Sequence, residues 1–196
     1  IRFGGSGAST TADRVANADD GTLWVMGTFD GLVDFEPTYE RSETIENEGG
    51  TTDIYVVSVD GDRVLGMTLV LASDSTGSLE TGGLDVDPGN SLTVTGTFTG
   101  SVDLDGSARE YTRESQGDTD GLIGRYNDVG DLSWASSFGG TGADRVVGAV
   151  SRPLGGVFLA GEVAGDASYY GAGSATTGQG MEVVLASTGS GDTDGV

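Results

Sequence analysis

Cysteine, histidine and lysine are missing from this chain: the first two are absent, and each of the nine basic residues is an arginine. Without cysteine there is no disulfide framework and no thiolate metal site. Without histidine there is no Ser-His couple and no imidazole ligand. Without lysine there is no Schiff base and no Walker lysine. No apolar stretch reaches membrane-spanning length, so no insertion into a bilayer is expected. The catalysis left open is that of carboxylates, because glycoside hydrolysis needs only two at a suitable separation. Among 31 Asp and Glu no pair stands out.

Positive charge is also scarce. The net charge is −22, which repels nucleic-acid phosphates and anionic membrane surfaces and excludes both as expected partners. It favours cations and a saline medium, where screening relieves self-repulsion.

What the chain has in abundance is glycine, 36 residues of it, set between short apolar runs. Leu23-Trp24-Val25-Met26 and Ile54-Tyr55-Val56-Val57 are typical. Short β-rich runs bounded by Gly, Asp and Asn predict many strands joined by tight turns. No segment shows helical apolar spacing. The runs also recur. Phe3-Gly4-Gly5-Ser6-Gly7-Ala8 returns as Phe138-Gly139-Gly140-Thr141-Gly142-Ala143. Leu23–Phe35 matches Leu92–Leu104, with Val157–Gly165 a diverged third version. Asp53–Asp60 aligns with Asp120–Asn127, and Met181–Ala186 follows in the third. The spacing predicts one domain over 1–196, with repeats at about 4–71, 72–138 and 139–196 and with 1–3 as a closing strand. Each repeat reads as four antiparallel strands, the composition of a β-propeller blade. Three blades are too few for a ring. The expectation is therefore a piece of a larger propeller or a half-ring that pairs as a homodimer. The opening inside a motif, at Ile1-Arg2-Phe3, fits the first.

The series F-G-G-S/T-G-A-D, an Asp/Gly turn, V-x-G-T-F-x-G-x-V-D-F and D-I-Y-V-V-x-V-D resembles the bacterial β-propeller repeat family abbreviated SBBP. The middle repeat departs from it where Ser73-Asp74-Ser75-Thr76-Gly77 replaces F-G-G, and the third loses its Gly-Thr-Phe ending. The resemblance implies a large secreted or cell-surface bacterial protein. It brings no catalytic residues with it.

Closely spaced Asp beside Gly is a pattern that can supply oxygen ligands to calcium. The candidates are Asp103 and Asp105, Asp118 and Asp120, and Asp192 and Asp194; Asp85, Asp87 and Asn90 form a fourth group, in which turn capping is the stronger reading. No cofactor is required otherwise. The polar loops at about 36–52, 105–119 and 166–179 vary most between repeats and should lie at one end of the sheets. Their Tyr39, Tyr111, Tyr169 and Tyr170 are candidate ligand contacts. The other strand aromatics, Trp24 and Trp134 among them, read as packing between sheets. The expected function is a non-enzymatic extracellular or cell-surface scaffold or binding module whose partner is a protein or a carbohydrate. The alternative is a polysaccharide-active enzyme using paired carboxylates.

Overall fold

Strand-forming runs and Gly-containing turns alternate from end to end, and the chain folds accordingly. The computed structural model describes residues 4–5, 7–35, 44–47, 52–60, 63–107, 109–152, 156–171 and 181–187, with residues 60, 63–68, 167, 169–171 and 181–187 described by backbone alone. No helix occurs among them. Repeat one holds β1 (Ser9–Thr10), β2 (Arg14–Asn17), β3 (Leu23–Asp30), β4 (Leu32–Asp34), β5 (Thr44–Glu46), β6 (Asp53–Asp60) and β7 (Arg63–Ser73). Repeat two holds β8 (Ser78–Val86), β9 (Leu92–Thr99), β10 (Ser101–Asp103), β11 (Thr112–Glu114), β12 (Asp120–Tyr126) and β13 (Leu132–Gly140). Repeat three holds β14 (Arg145–Ser151), β15 (Val157–Val163), β16 (Ala167–Gly171) and β17 (Met181–Ser187).

The four-strand reading holds for two repeats. β2-β3-β6-β7 and β8-β9-β12-β13 are antiparallel meanders in matching register: Gly27 faces Tyr55 as Gly96 faces Leu122. The third repeat corrects the expectation. β14 and β15 pair antiparallel, but β17 lies parallel to β15. Parallel neighbours need a crossover rather than a tight hairpin. Here the intervening chain travels away to place β16 on the second sheet.

A smaller regularity joins the repeats. After each second strand the chain turns at a glycine with positive φ, Gly31 (79°), Gly100 (67°) and Gly165 (87°). Left-handed backbone is costly for residues with a Cβ. The next residues then pair with the end of the preceding fourth strand. Asp34 bridges Gly4, Asp103 pairs with Ala72, and Ser168 pairs with Gly139. Each partner occupies the same place in its repeat, so Leu71-Ala72-Ser73 is the middle repeat's version of Phe-Gly-Gly. This strand-capping latch covers the end of an edge that would otherwise be open to foreign strands there. Residues 1–3, expected as a closing strand, lie outside the described residues.

The sheets pack face to face. Trp24, Met26, Ile54 and Leu71 of the first meet Leu79, Phe98, Leu122 and Tyr126 of the second in one buried cluster. Ile123 and Phe138 of the second meet Val146, Val157 and Leu159 of the third. The first strands run alongside one another, β2 by β8 and β8 by β14. Volume swaps keep both meanders closed. Ile54 opposite Leu71 in repeat one becomes Gly121 opposite Phe138 in repeat two. Gly124 stands where repeat one has Val57, and the Tyr126 ring fills the space: a Cβ at Gly124 would lie 2.3 Å from the Tyr126 hydroxyl oxygen and 2.5–2.6 Å from the ring. The Tyr126 hydroxyl is anchored on the Leu104 carbonyl at 2.8 Å. Gly124→Ala should therefore lower stability by about 1–3 kcal/mol through overpacking, read as a drop in urea midpoint. An unchanged midpoint would mean that the ring moves aside freely.

Candidate functional site

The residues singled out for calcium do not converge. Asp103 Oδ1 accepts the backbone N–H groups of Asp105 and Tyr111, at 2.9 and 2.8 Å. Asp105 accepts the Ser107 N–H and pairs with Arg109 at 3.4 Å. Both are turn caps. Asp118 is exposed while Asp120, two residues on, is fully buried. Asp85 accepts the Ser151 N–H. Asp87 caps its own turn through Gly89 and Ser91 and forms an ion pair with Arg125. Asp192 and Asp194 lie outside the described residues. Among the described residues no three acidic side chains gather as a metal site would require.

The candidate tyrosines divide likewise. Tyr111 is packed against the first core cluster, its hydroxyl donates to the Ala135 carbonyl at 3.1 Å, and the Arg113 guanidinium covers its ring. Tyr169 and Tyr170 lie on β16 opposite Phe138 and Ser137. Tyr39 lies outside the described residues.

Two carboxylates are buried together where repeats two and three meet. Asp144 accepts the N–H groups of Gly140 and Ala164, at 2.7 and 2.8 Å. Among the described residues Asp120 accepts only the Gln116 N–H, and its Oδ1 has no partner. The corresponding Asp53 of repeat one accepts both the N–H and the hydroxyl of Ser73. In repeat two the equivalent amide, that of Gly140, is taken by Asp144. Burial, and then the Asp144 charge, raise the Asp120 pKa above its ordinary 3.8, with the Gln116 bond pulling the other way. The folded state thus holds this proton more tightly than the unfolded chain. Stability from this group is present at low pH and is lost as pH rises from the unfolded value through the raised one. Asp120→Asn should be more stable than the parent by about 1 kcal/mol at pH 7 and by less at pH 4. Urea unfolding at the two pH values reads the gap; a gap that does not widen with pH would refute it.

An accessible opening lies at the end of the sheets where the first and second strands of repeats one and two are joined. There the turns at Asp19–Gly21, Asp87–Asn90 and Asn127–Gly130 come together. A cleft of about 160 Å³ is lined by Asp20, Thr22, Trp24, Ser58, Asn90 and Asp128. Asn90, the one described non-glycine residue at positive φ (59°), donates from Nδ2 to Asp20 Oδ2 at 3.2 Å and links the two repeats. The Thr22 N–H and hydroxyl hold the Asp20 carboxyl below its ordinary value, so it stays ionised. Trp24 is 4% exposed, and among the described residues its buried indole N–H has no hydrogen-bond partner.

The cleft has a counterpart that is filled. Strand register places Ala18, Trp24 and Ser58 of repeat one where repeat two has Asp87, Thr93 and Arg125. In repeat two the Arg125 guanidinium occupies the spot, donating to Asp87, Thr93 and Ser151. In repeat three Arg152 lies over the Phe158 ring at 5.0 Å. In repeat one the position carries the shorter Ser58, which lines the cleft. Sequence reading places Trp24 in the core, which is where its ring lies; only its N–H edge is left over.

Fold and site together define, among the described residues, an all-β arrangement of latched repeats with a small polar cleft between the first two. No protein-family model, curated protein or solved structure matches the chain.

Proposed function

We propose that the chain is a run of β-propeller blades serving as a non-enzymatic scaffold or binding module at the cell surface or outside the cell. The observation that carries this reading is the latch, repeated three times in one register. It is the joint expected of blades set around an axis, with their first strands adjacent at the hub. The resemblance to SBBP repeats supports it, as does the absence of His, Cys and Lys. The buried pair Asp120 and Asp144 does not favour hydrolysis: Asp144 is engaged with backbone amides and Asp120 is sealed from solvent. Rings of this kind hold more than three blades, so further blades or a second chain would complete one. The test is to probe glycan and protein arrays with the chain, and to incubate it with a polysaccharide panel. Saturable binding without turnover is expected. Turnover that disappears when one carboxylate is replaced would overturn the reading in favour of a polysaccharide-active enzyme.

A further inference from the structure

We infer that the two end faces of the run of repeats are the halves of one further joint, and that a second copy of this chain fills it head to tail. The inference rests on the propeller reading and deepens it, naming the surfaces and the partner that complete a ring.

The second strand of each repeat turns one face to the repeat before it and the other to the repeat after it. Looking forward, repeat one presents Trp24 and Met26 to repeat two, 4% and 0% exposed. Thr93 and Thr95 of repeat two, on the face turned to repeat three, are buried. The same places in repeat three hold Phe158, partly buried, and Ala160, exposed. Val150, opposite Phe158, is 53% exposed. Looking back, Leu92 and Val94 of repeat two and Val157 and Leu159 of repeat three are buried. Their counterparts in repeat one are Leu23, 39% exposed, and the partly buried Val25. Val15, opposite Val25, is 66% exposed. The outer part of that face is already closed. Val33 and Phe35 pack on Tyr55 and Val57 there, as Val102 and Leu104 join Leu122 in repeat two. What stays uncovered at each end is the part of a joint made by first and second strands.

The polar contacts continue in the same sense. Arg14 of repeat one donates from Nε to the Gly82 carbonyl of repeat two at 2.7 Å, and Asp13 accepts from the Thr81 hydroxyl at 3.1 Å. The returning Ala-Asp-Arg-Val motif puts Arg145 where Arg14 stands. The Arg145 side chain is 56% exposed, and among the described residues it pairs with Glu162 of its own repeat. A strand laid beside β14, as β8 lies beside β2, meets that guanidinium.

One chain carries both halves, so a second copy supplies each with its partner. Head-to-tail contacts make a closed assembly when the rotation closes. Two chains bring about six repeats, within the range of about four to eight that rings hold, and closure leaves neither end face free. The joint is apolar, whereas each chain has a net charge of −22. Self-repulsion therefore opposes the pair at low salt. Screening relieves it, since the Debye length falls from about 10 Å at 0.1 M salt to about 3 Å at 1 M.

Sedimentation velocity of the whole chain, over a concentration series in 0.1 and 1 M sodium chloride, should show a species of twice the monomer mass that grows with salt. Val15→Glu and Val150→Glu lie on opposite end faces, both at exposed positions. Each should weaken the pair at least about a hundredfold, because it sets an unpaired charge in both joints at once. Mixing the two variants should restore pairing in part, since one of the two joints then combines two intact faces. Circular dichroism and the urea midpoint of each variant should match the parent. A variant that unfolds is replaced by its neighbour on the same face, Leu23→Glu for Val15→Glu or Ala160→Glu for Val150→Glu. A monomer at both salt concentrations, a pair that either variant leaves intact, a mixture no better than the single variants, or assemblies larger than two would each overturn the inference. If the chain stays monomeric yet binds array ligands, the pairing is wrong and the binding-module reading stands. Blank arrays would remove that reading whatever the mass.

Discussion

Arg125→Met should lower folding stability by about 3 kcal/mol, the low end for breaking a buried ion pair by removing one partner. Arg125 is 7% exposed, and its guanidinium reaches three acceptors: Asp87 and Thr93 Oγ1 (3.1 Å) within repeat two, and Ser151 Oγ (3.3 Å) across the joint in repeat three. Methionine fills much of the volume and satisfies none of them. Asp87 would keep its turn-capping bonds from Gly89 and Ser91 but carry an unpaired charge. The loss should therefore shrink when the acid is neutralised as well. Arg125→Met in an Asp87→Asn background should cost clearly less than in the parent, and a double-mutant cycle in urea measures the coupling. A single mutant within 1 kcal/mol of the parent, or strictly additive effects, would show that the pair is solvated rather than buried.

Asp144→Ala should have a comparable cost, about 3 kcal/mol, because two charge-assisted bonds are lost at once. Its carboxylate ties the end of β13, through Gly140, to the residue after β15, Ala164. Its backbone is bonded to Thr119 in both directions, N–H to carbonyl at 2.8 Å and carbonyl from hydroxyl at 3.0 Å. Four segments meet on one residue. Asp120→Asn, its neighbour, should stabilise, so two acids sharing one site carry opposite signs. Removing Asp144 also frees the Gly140 amide for Asp120, restoring what Asp53 has with Ser73 in repeat one. The pH-dependent gap between the Asp120→Asn variant and its parent should therefore narrow when both carry Asp144→Ala. Chemical denaturation of the four variants at pH 4 and 7 tests this. A loss under 1 kcal/mol for Asp144→Ala would mean that backbone pairing alone holds the joint.

The main strands were legible because each carries enough β-branched and aromatic residues to show a pattern, and because the patterns return in order. The short hairpins were not. Thr44-Ile45-Glu46 and Thr112-Arg113-Glu114 pair with Asp34-to-Leu32 and Asp103-to-Ser101 in identical register, yet three residues give no period to detect. The latch was hidden for another reason: it joins residues of different repeats, and the pairing of Ala72 with Asp103 leaves no trace in either segment alone. In the third repeat, the likeness of Met181–Ala186 to a third strand said nothing about its direction. The cleft was illegible because it is made by three ordinary turns from two repeats and by what Ser58 fails to fill.

The latch also sets a schedule for synthesis. Each fourth strand is capped by residues that follow it by about thirty positions, Gly4 by Asp34, Ala72 by Asp103, Gly139 by Ser168. At ribosomal rates of about 5–20 residues per second, every newly made edge waits roughly 2–6 seconds for its cover. In an emerging chain the strand end that each latch covers therefore stays open only until the second strand of the following repeat has been made.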